Sequence, residues 1–419
     1  MKKSLGALSL LGASALLLAG CASGDAGQSA ETGDLTVWLV GTDTPQDARD
    51  YLKKTFEAEN EGWTLTIEEK TWADTADNYV AALSSNDAPD LVEVGNTQSP
   101  GFIDQGLFLD ISDIEADLGG DALLQSFVEL GSADGSLYAA PYYAGSRIVF
   151  YSPSSYSGEV PTTLEEYVAD GIAATTATKS GIYAPGKDWY NALPYVWANG
   201  GEIATQDGDT WKGGFSSSGG IAGLEMLQDV YENATIAPAD ADETDPQVPF
   251  CAGEVGFLSA PAWVKWSILA PADDAKAPGC PETAGADLKA FALPGMTAGE
   301  VAPVFAGGSN IAVAAKSDAP DKAEAALKII LSEGYQKILA ENGLIPALTS
   351  FAEFLPDDEI TAEAAKAVAS SKAVPASPNW SEVESSGAIK DALVKIAQGG
   401  DVTAIATELD SQIEAILNK

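Results

Sequence analysis

Residues 35–95 switch repeatedly between two hydrophobic periods, and this alternation limits the fold more than any other feature of the chain. "LTVWLV" (35–40) is a continuous apolar, β-rich run suited to a buried strand. Gly41-Thr42-Asp43 breaks it. "QDARDYLKKTFEAEN" follows, with Tyr51, Leu52 and Phe56 at helical spacing. "WTLTIEEK" (63–70) reads as a second strand, "DNYVAALSSN" as a second helix and "APDLVEVG" as a third strand. Strand, helix, strand, helix, strand at this spacing predicts parallel βαβ units and an α/β class. Ligands of such sheets sit beyond the carboxyl ends of the strands. The loops at 41–43, 70–72 and 95–98 therefore fall on the ligand side by topology alone.

The start of the chain has another character. Lys2 and Lys3 precede a run without charge from Leu5 to Gly20. That is the pattern of an export signal, and it is short of the roughly 20 apolar residues that span a membrane. Leu18-Ala19-Gly20-Cys21 resembles the lipobox of bacterial lipoproteins. The resemblance implies a signal peptide over 1–20, a lipid on Cys21 and a tether over 21–33. An ordinary signal with an incidental cysteine is the plainer alternative.

Composition removes several functions. The chain has 62 acidic and 22 basic residues, a formal net charge of −40, and loss of the signal takes two lysines with it. Such a surface repels nucleic acid and anionic lipid, which need basic footprints. There is no histidine, which removes Ser-His-Asp triads and His metal sites together. No metal or other cofactor is expected. With Cys21 assigned to lipid, Cys251 and Cys280 are an even pair in an oxidising compartment. A disulfide is the expectation, and two buried free thiols the alternative. The middle of the chain, 144–300, is richer in Gly, Pro and aromatics. Helices are expected in "PTTLEEYVADGI", "GIAGLEMLQDVYEN", "DKAEAALKIILSEGYQKILAENG" and the closing stretches. No repeat of solenoid period is present.

The order of motifs resembles the extracellular solute-binding proteins of carbohydrate ABC importers, the group of maltose-binding protein. The matching stretches include "LTVWLVG", "AALSSNDAPDLVEVGN", "GLFLDIS", "GSLYAAPYYAGSRIVFYSPSSY", "PTTLEEY", "YVWANGGEI", "GEVGFLSAPAW", "GGSNIAVAAKS" and "LAENGLIPAL". They fall in family order. "EVGNTQSPGFIDQG" and "YYAGSRIVFYS" look most like actinobacterial binders of chitobiose and other N-acetylglucosamine oligosaccharides. Tyr151-Ser152-Pro153 departs from the family's usual tyrosine-asparagine-lysine. The resemblance implies two α/β lobes, 34–143 plus 304–345 and 144–303 plus 346–419. It places crossings near 141–147 and 302–310 and a ligand in the cleft between the lobes. It also implies a monomer on the extracellular face of a bacterial cell membrane, lipid-anchored, that delivers a mono- or oligosaccharide to ABC permease subunits without catalysis of its own.

A neutral sugar offers hydroxyls and an apolar ring face, so a good site combines aromatic surfaces with a few fixed polar groups. By loop position or family correspondence, the ligand-binding candidates are Asp43, Trp72, Asn96, Gln98, Tyr143, Gly145, Arg147, Asp188, Trp189, Tyr190, Trp263, Gly308, Ser309 and Trp380. Trp263 and Trp380 match family stacking positions, and each follows a proline in a loop where an indole face could be free. Among the other tryptophans, Trp197 reads as core and Trp266 as packing. Two rival functions stay open: a glycoside-active enzyme built on paired carboxylates, and a polyamine- or peptide-binding lipoprotein.

Overall fold

The computed structural model describes residues 32–41, 44–273 and 278–419, without the side chains of 73–77. Its two main sheets are built from ten strands. In chain order these are β1 (Gly33–Val40), β2 (Trp63–Lys70), β3 (Leu91–Gly95), β4 (Ala139–Gly145), β5 (Arg147–Tyr151), β6 (Ser180–Ile182), β7 (Val255–Pro261), β8 (Lys289–Phe291), β9 (Gly307–Val313) and β10 (Ile345–Pro346). The first sheet runs β10-β4-β9-β3-β1-β2. β1 is parallel to both β2 and β3, as the alternation over 35–95 predicts. The crossovers are α1 (Gln46–Glu59) and α2 (Trp72–Leu83). Ala48, Leu52 and Phe56 of α1 recur at every fourth position and are all buried. They pack on Leu35, Val37 and Leu39 of β1 in one apolar core. α2 begins five residues before the stretch read as helical, directly after β2.

The second sheet runs β8-β5-β7-β6, with β7 antiparallel to β5 and parallel to β6. Its helices include α3 (Leu164–Ala174), α4 (Trp189–Ala198), α5 (Ser218–Asn233) and the short α6 (Val264–Leu269). Thr163 opens α3, in the stretch expected to be helical, by accepting the Glu166 backbone N–H. Two later helices, α7 (Pro320–Ile330) and α8 (Glu333–Glu341), pack with the first sheet. The last four pack with the second: α9 (Glu359–Ala369), α10 (Trp380–Ser386), α11 (Ala388–Ala397) and α12 (Val402–Leu417).

The chain therefore passes between the sheets three times. Gly145-Ser146-Arg147 joins β4 to β5, residues 292–306 lead from β8 to β9, and residues 347–358 lead from β10 to α9. Ser146 Oγ donates to the Ala364 carbonyl at 2.9 Å, tying the first crossing to α9, the helix that the third crossing leads into. β9 then lies antiparallel between β3 and β4, at the centre of the first sheet. Cys251 and Cys280 are bonded, with Cα atoms 5.3 Å apart, as expected. Their loop holds β7 and α6. Among the described residues, no helix is long and apolar enough to cross a membrane.

Candidate ligand-binding cleft

A cleft of about 710 Å³ opens between the two lobes where the chain first crosses. Its lobe 1 wall is Trp72, directly after β2, and residues 95–98, at the end of β3 and just beyond it. Both are carboxyl ends of parallel strands. The crossing contributes Gly145, Ser146, Gly307 and Gly308. The lobe 2 wall holds Arg147, Trp189, Tyr190, Glu243 and Trp263, and from α10 and α11 Glu384 and Lys390, with Phe305 of the second crossing packed against Tyr190.

The polar turn after β3 is set by its own side chains. Asn96 Oδ1 accepts the Thr97 N–H at 3.1 Å, while Asn96 Nδ2 donates to the Ala306 carbonyl at 2.8 Å. Gln98 Oε1 accepts the Gly95 N–H at 3.3 Å. Asn96 thus joins the turn to the second crossing.

The lobe 2 wall is organised around Arg147. Its guanidinium makes two bonds to Glu243, at 2.6 and 2.8 Å, and Asp188 lies 3.9 Å away. The fork geometry of arginine suits this bidentate pairing. The same guanidinium stacks 4.9 Å over the Tyr190 ring, which packs 4.9 Å from Phe305 and 4.2 Å from Trp189. Asp188 caps α4 by accepting the Asn191 N–H at 3.2 Å. Burial pushes its carboxyl up to about 7, against the pull of Arg147.

Of the expected residues, Trp72, Asn96, Gln98, Gly145, Arg147, Trp189, Tyr190, Trp263 and Gly308 all line this one cleft. Trp263 is 55% exposed, and its ring covers Gly145 so closely that a Cβ there would meet it at 2.6 Å. Gly145 is what lets the indole lie across the crossing. Gly308 has a φ of +150°, and a Cβ would sit 2.4 Å from the Tyr143 carbonyl, so sheet packing alone already demands glycine there.

Four expected residues lie behind the cleft surface. Tyr143 and Ser309 are buried, and both hydroxyls donate to the buried Glu93 carboxylate, at 2.8 and 2.7 Å. Strand alternation turns them into the sheet's interior rather than toward a ligand. Asp188 is taken up by its cap and by Arg147. Trp380, expected to present a free face, is 0% exposed and packs 6.1 Å from Trp189. The loop before it ends at once in α10, which folds the indole into the lobe 2 core. Trp197 is buried as expected. Trp266 is the reverse case: it is 58% exposed, with Lys265 over its ring at 5.4 Å, because the short α6 buries only Val264 and Ile268. Asp43 and Cys21 lie outside the described residues, as does the expected signal. Glu243, Phe305, Glu384 and Lys390 were not anticipated. Single acids in a chain with 62 of them carry no local signal.

A larger groove, about 1000 Å³, also opens between the lobes, lined by residues 125–134 and 197–206 and by 371–376. It takes no residue from 95–98 or from the first crossing. The smaller cleft is the candidate ligand site: of the two, it collects the strand carboxyl ends together with five aromatic side chains.

Comparison with known proteins agrees with this architecture. The chain is 31% identical over 402 residues to the diacetylchitobiose binding protein DasA of Streptomyces coelicolor, spanning 93% of this chain and 91% of that one. Its fold superposes on the sugar-binding protein MalE of Xanthomonas citri with a TM-score of 0.78, at 18% identity, covering 92% of this chain and 97% of that one. The cyclic α-maltosyl-1,6-maltose binding protein of Arthrobacter globiformis superposes at 0.77, with 20% identity and coverage of 93% and 100%. Residues 52–369 match the model for the bacterial extracellular solute-binding proteins, and the chain belongs to that family.

Proposed function

We propose that the protein captures a sugar, an oligosaccharide of the chitobiose class, in the interlobe cleft and hands it to an ABC permease while anchored through Cys21. The observation that carries this reading is the cleft itself. Five aromatic side chains, Trp72, Trp189, Tyr190, Trp263 and Phe305, surround a small set of fixed polar groups at the crossing. That is the chemistry a pyranose needs, with flat faces for the ring and bidentate polar groups for its hydroxyls. The 31% identity to a diacetylchitobiose binding protein supports the choice of ligand class. The lobes, 34–143 plus 304–345 and 144–303 plus 346–419, close on the ligand by rotation about the crossings.

The test is a thermal-shift and calorimetric panel of diacetylchitobiose, maltose and longer chitin and maltodextrin oligomers. At 100 times its Kd, a bound sugar should stabilise the protein by about 2.7 kcal/mol. Trp263→Ala should cost about 1.5–4 kcal/mol of binding and little ligand-free stability, because the ring is more than half exposed. No shift with any sugar would overturn the reading. Release of reducing sugar from the same panel would replace it with a glycoside-active enzyme. For the anchor, Cys21→Ser should release the protein into the medium, and continued partitioning into detergent would refute it.

A further inference from the structure

Charge is unevenly matched across the cleft, and the argument here rests on the sugar-binding reading above. Four charged side chains line the space: Arg147, Glu243, Glu384 and Lys390. Both cations already have carboxylates. Arg147 holds Glu243 in a fork, with Asp188 behind it, and Lys390 is bonded to Asp242 at 2.9 Å. Glu384 is the carboxyl left over: among the described residues it forms no salt bridge. Burial pushes it up to about 7. The Thr97 hydroxyl, from the opposite lobe, and the buried Trp380 indole draw it back toward the charged form. Lys390 does so more weakly. The Trp380 N–H has no well-formed hydrogen bond of its own.

A sugar hydroxyl would give this carboxylate one hydrogen bond and leave its charge without a partner. An ammonium would supply both, as a charge-assisted bond. The rings of Trp72 and Trp263, both more than two-fifths exposed in the same cleft, also favour a cation through their ring quadrupoles. We propose that Glu384 forms a subsite for a protonated amine, so that the cleft prefers sugar units carrying a free amino group, of the glucosamine type, over fully N-acetylated ones.

The experiment is calorimetry near pH 7 on the whole protein, titrated separately with di-glucosamine, diacetylchitobiose and putrescine. Wild type, Glu384→Gln and Glu384→Asp are compared, and each variant's ligand-free melting is recorded. The expected result is at least a tenfold preference for di-glucosamine over diacetylchitobiose, lost in Glu384→Gln and largely kept in Glu384→Asp. Equal or tighter binding of diacetylchitobiose by wild type overturns this inference and leaves the sugar-binding reading standing. A preference that survives Glu384→Gln also overturns it, since the subsite then lies elsewhere. Binding of putrescine with neither sugar overturns the sugar-binding reading itself.

Discussion

On the lobe 1 side, the cleft wall is Trp72 and residues 95–98, with no charged side chain among its lining; on the lobe 2 side it carries Arg147, Glu243, Glu384 and Lys390 in front of Asp188. The neutral wall satisfies its turn N–H groups within a few residues, as with Thr97 N–H on Asn96 and Gly95 N–H on Gln98, and Asn96 Nδ2 anchors that turn to the Ala306 carbonyl. The charged wall is satisfied at long range: Arg147 and Glu243 are 96 positions apart. The difference separates two tasks. Bringing a neutral wall onto a ligand strips water from no ion, whereas desolvating an unpaired charge is costly. On the charged wall Arg147 and Lys390 already hold their carboxylates, and among the described residues Glu384 is the one lining charge outside those pairs; lobe 1 approaches with hydrogen bonds and a ring alone.

The largest test removes the centre of the charged wall. Arg147→Met leaves Glu243 and Asp188 facing each other without their cation, in a buried setting. Loss of one partner from a buried pair costs about 3–5 kcal/mol, and that loss should appear as a lower urea midpoint at pH 7. Arg147→Lys should recover only part, because an ammonium cannot make the fork or stack on Tyr190. A loss below about 1 kcal/mol would mean the network is exposed enough for water to replace it.

Glu384 sharpens the comparison by titration. Its folded carboxyl, at about 7, holds a proton more tightly than an unfolded one near 4.3. Its contribution to stability is therefore full below about pH 4 and is lost as pH rises through about 7. Glu384→Gln removes that titration. Relative to the variant, wild type should lose on the order of 1–3 kcal/mol between about pH 4.5 and pH 8, toward the low end because the side chain is partly exposed. Parallel stability curves for the two proteins would show the carboxyl to be solvated.

The neutral wall was legible in the sequence and much of the charged wall was not, for the same reason. Trp72 and Asn96–Gln98 follow strands whose pattern is local, so topology alone puts them at the sheet's carboxyl edge. Arg147 and Tyr190 came from motif order, but Glu243 and Glu384 sit in segments with no periodic or motif signal. Trp263 and Trp380 share a proline-bearing approach, yet one is exposed and the other fully buried. What buries Trp380 is Trp189, nearly two hundred residues earlier, and no local pattern encodes that contact. In "DWY" the sequence groups Asp188 with Tyr190, whereas the first turn of α4 divides them between a helix cap and the cleft surface.

The smallest expected effect belongs to Gln98, and it tests whether the neutral wall is as locally held as its geometry implies. Gln98 Oε1 accepts the Gly95 N–H at 3.3 Å, and the side chain folds back over Gly95 so closely that a Cβ there would meet the same oxygen at 3.2 Å. A bond of this kind contributes about 0.5–1.5 kcal/mol net, and at a half-buried turn water can replace part of it. Gln98→Ala should therefore cost no more than about 1 kcal/mol of ligand-free stability, with the unfolding slope unchanged. Asn96→Ala should cost more, because Asn96 is buried and its amide reaches the second crossing at Ala306. The two variants also separate holding from binding. If Gln98 turns from Gly95 to a sugar hydroxyl on closure, Gln98→Ala should weaken the best sugar by several-fold while barely moving the melting temperature. If stability instead falls by 2 kcal/mol or more, Gln98 belongs to the support of β3, and lobe 1 approaches the ligand with Trp72 and Thr97 alone.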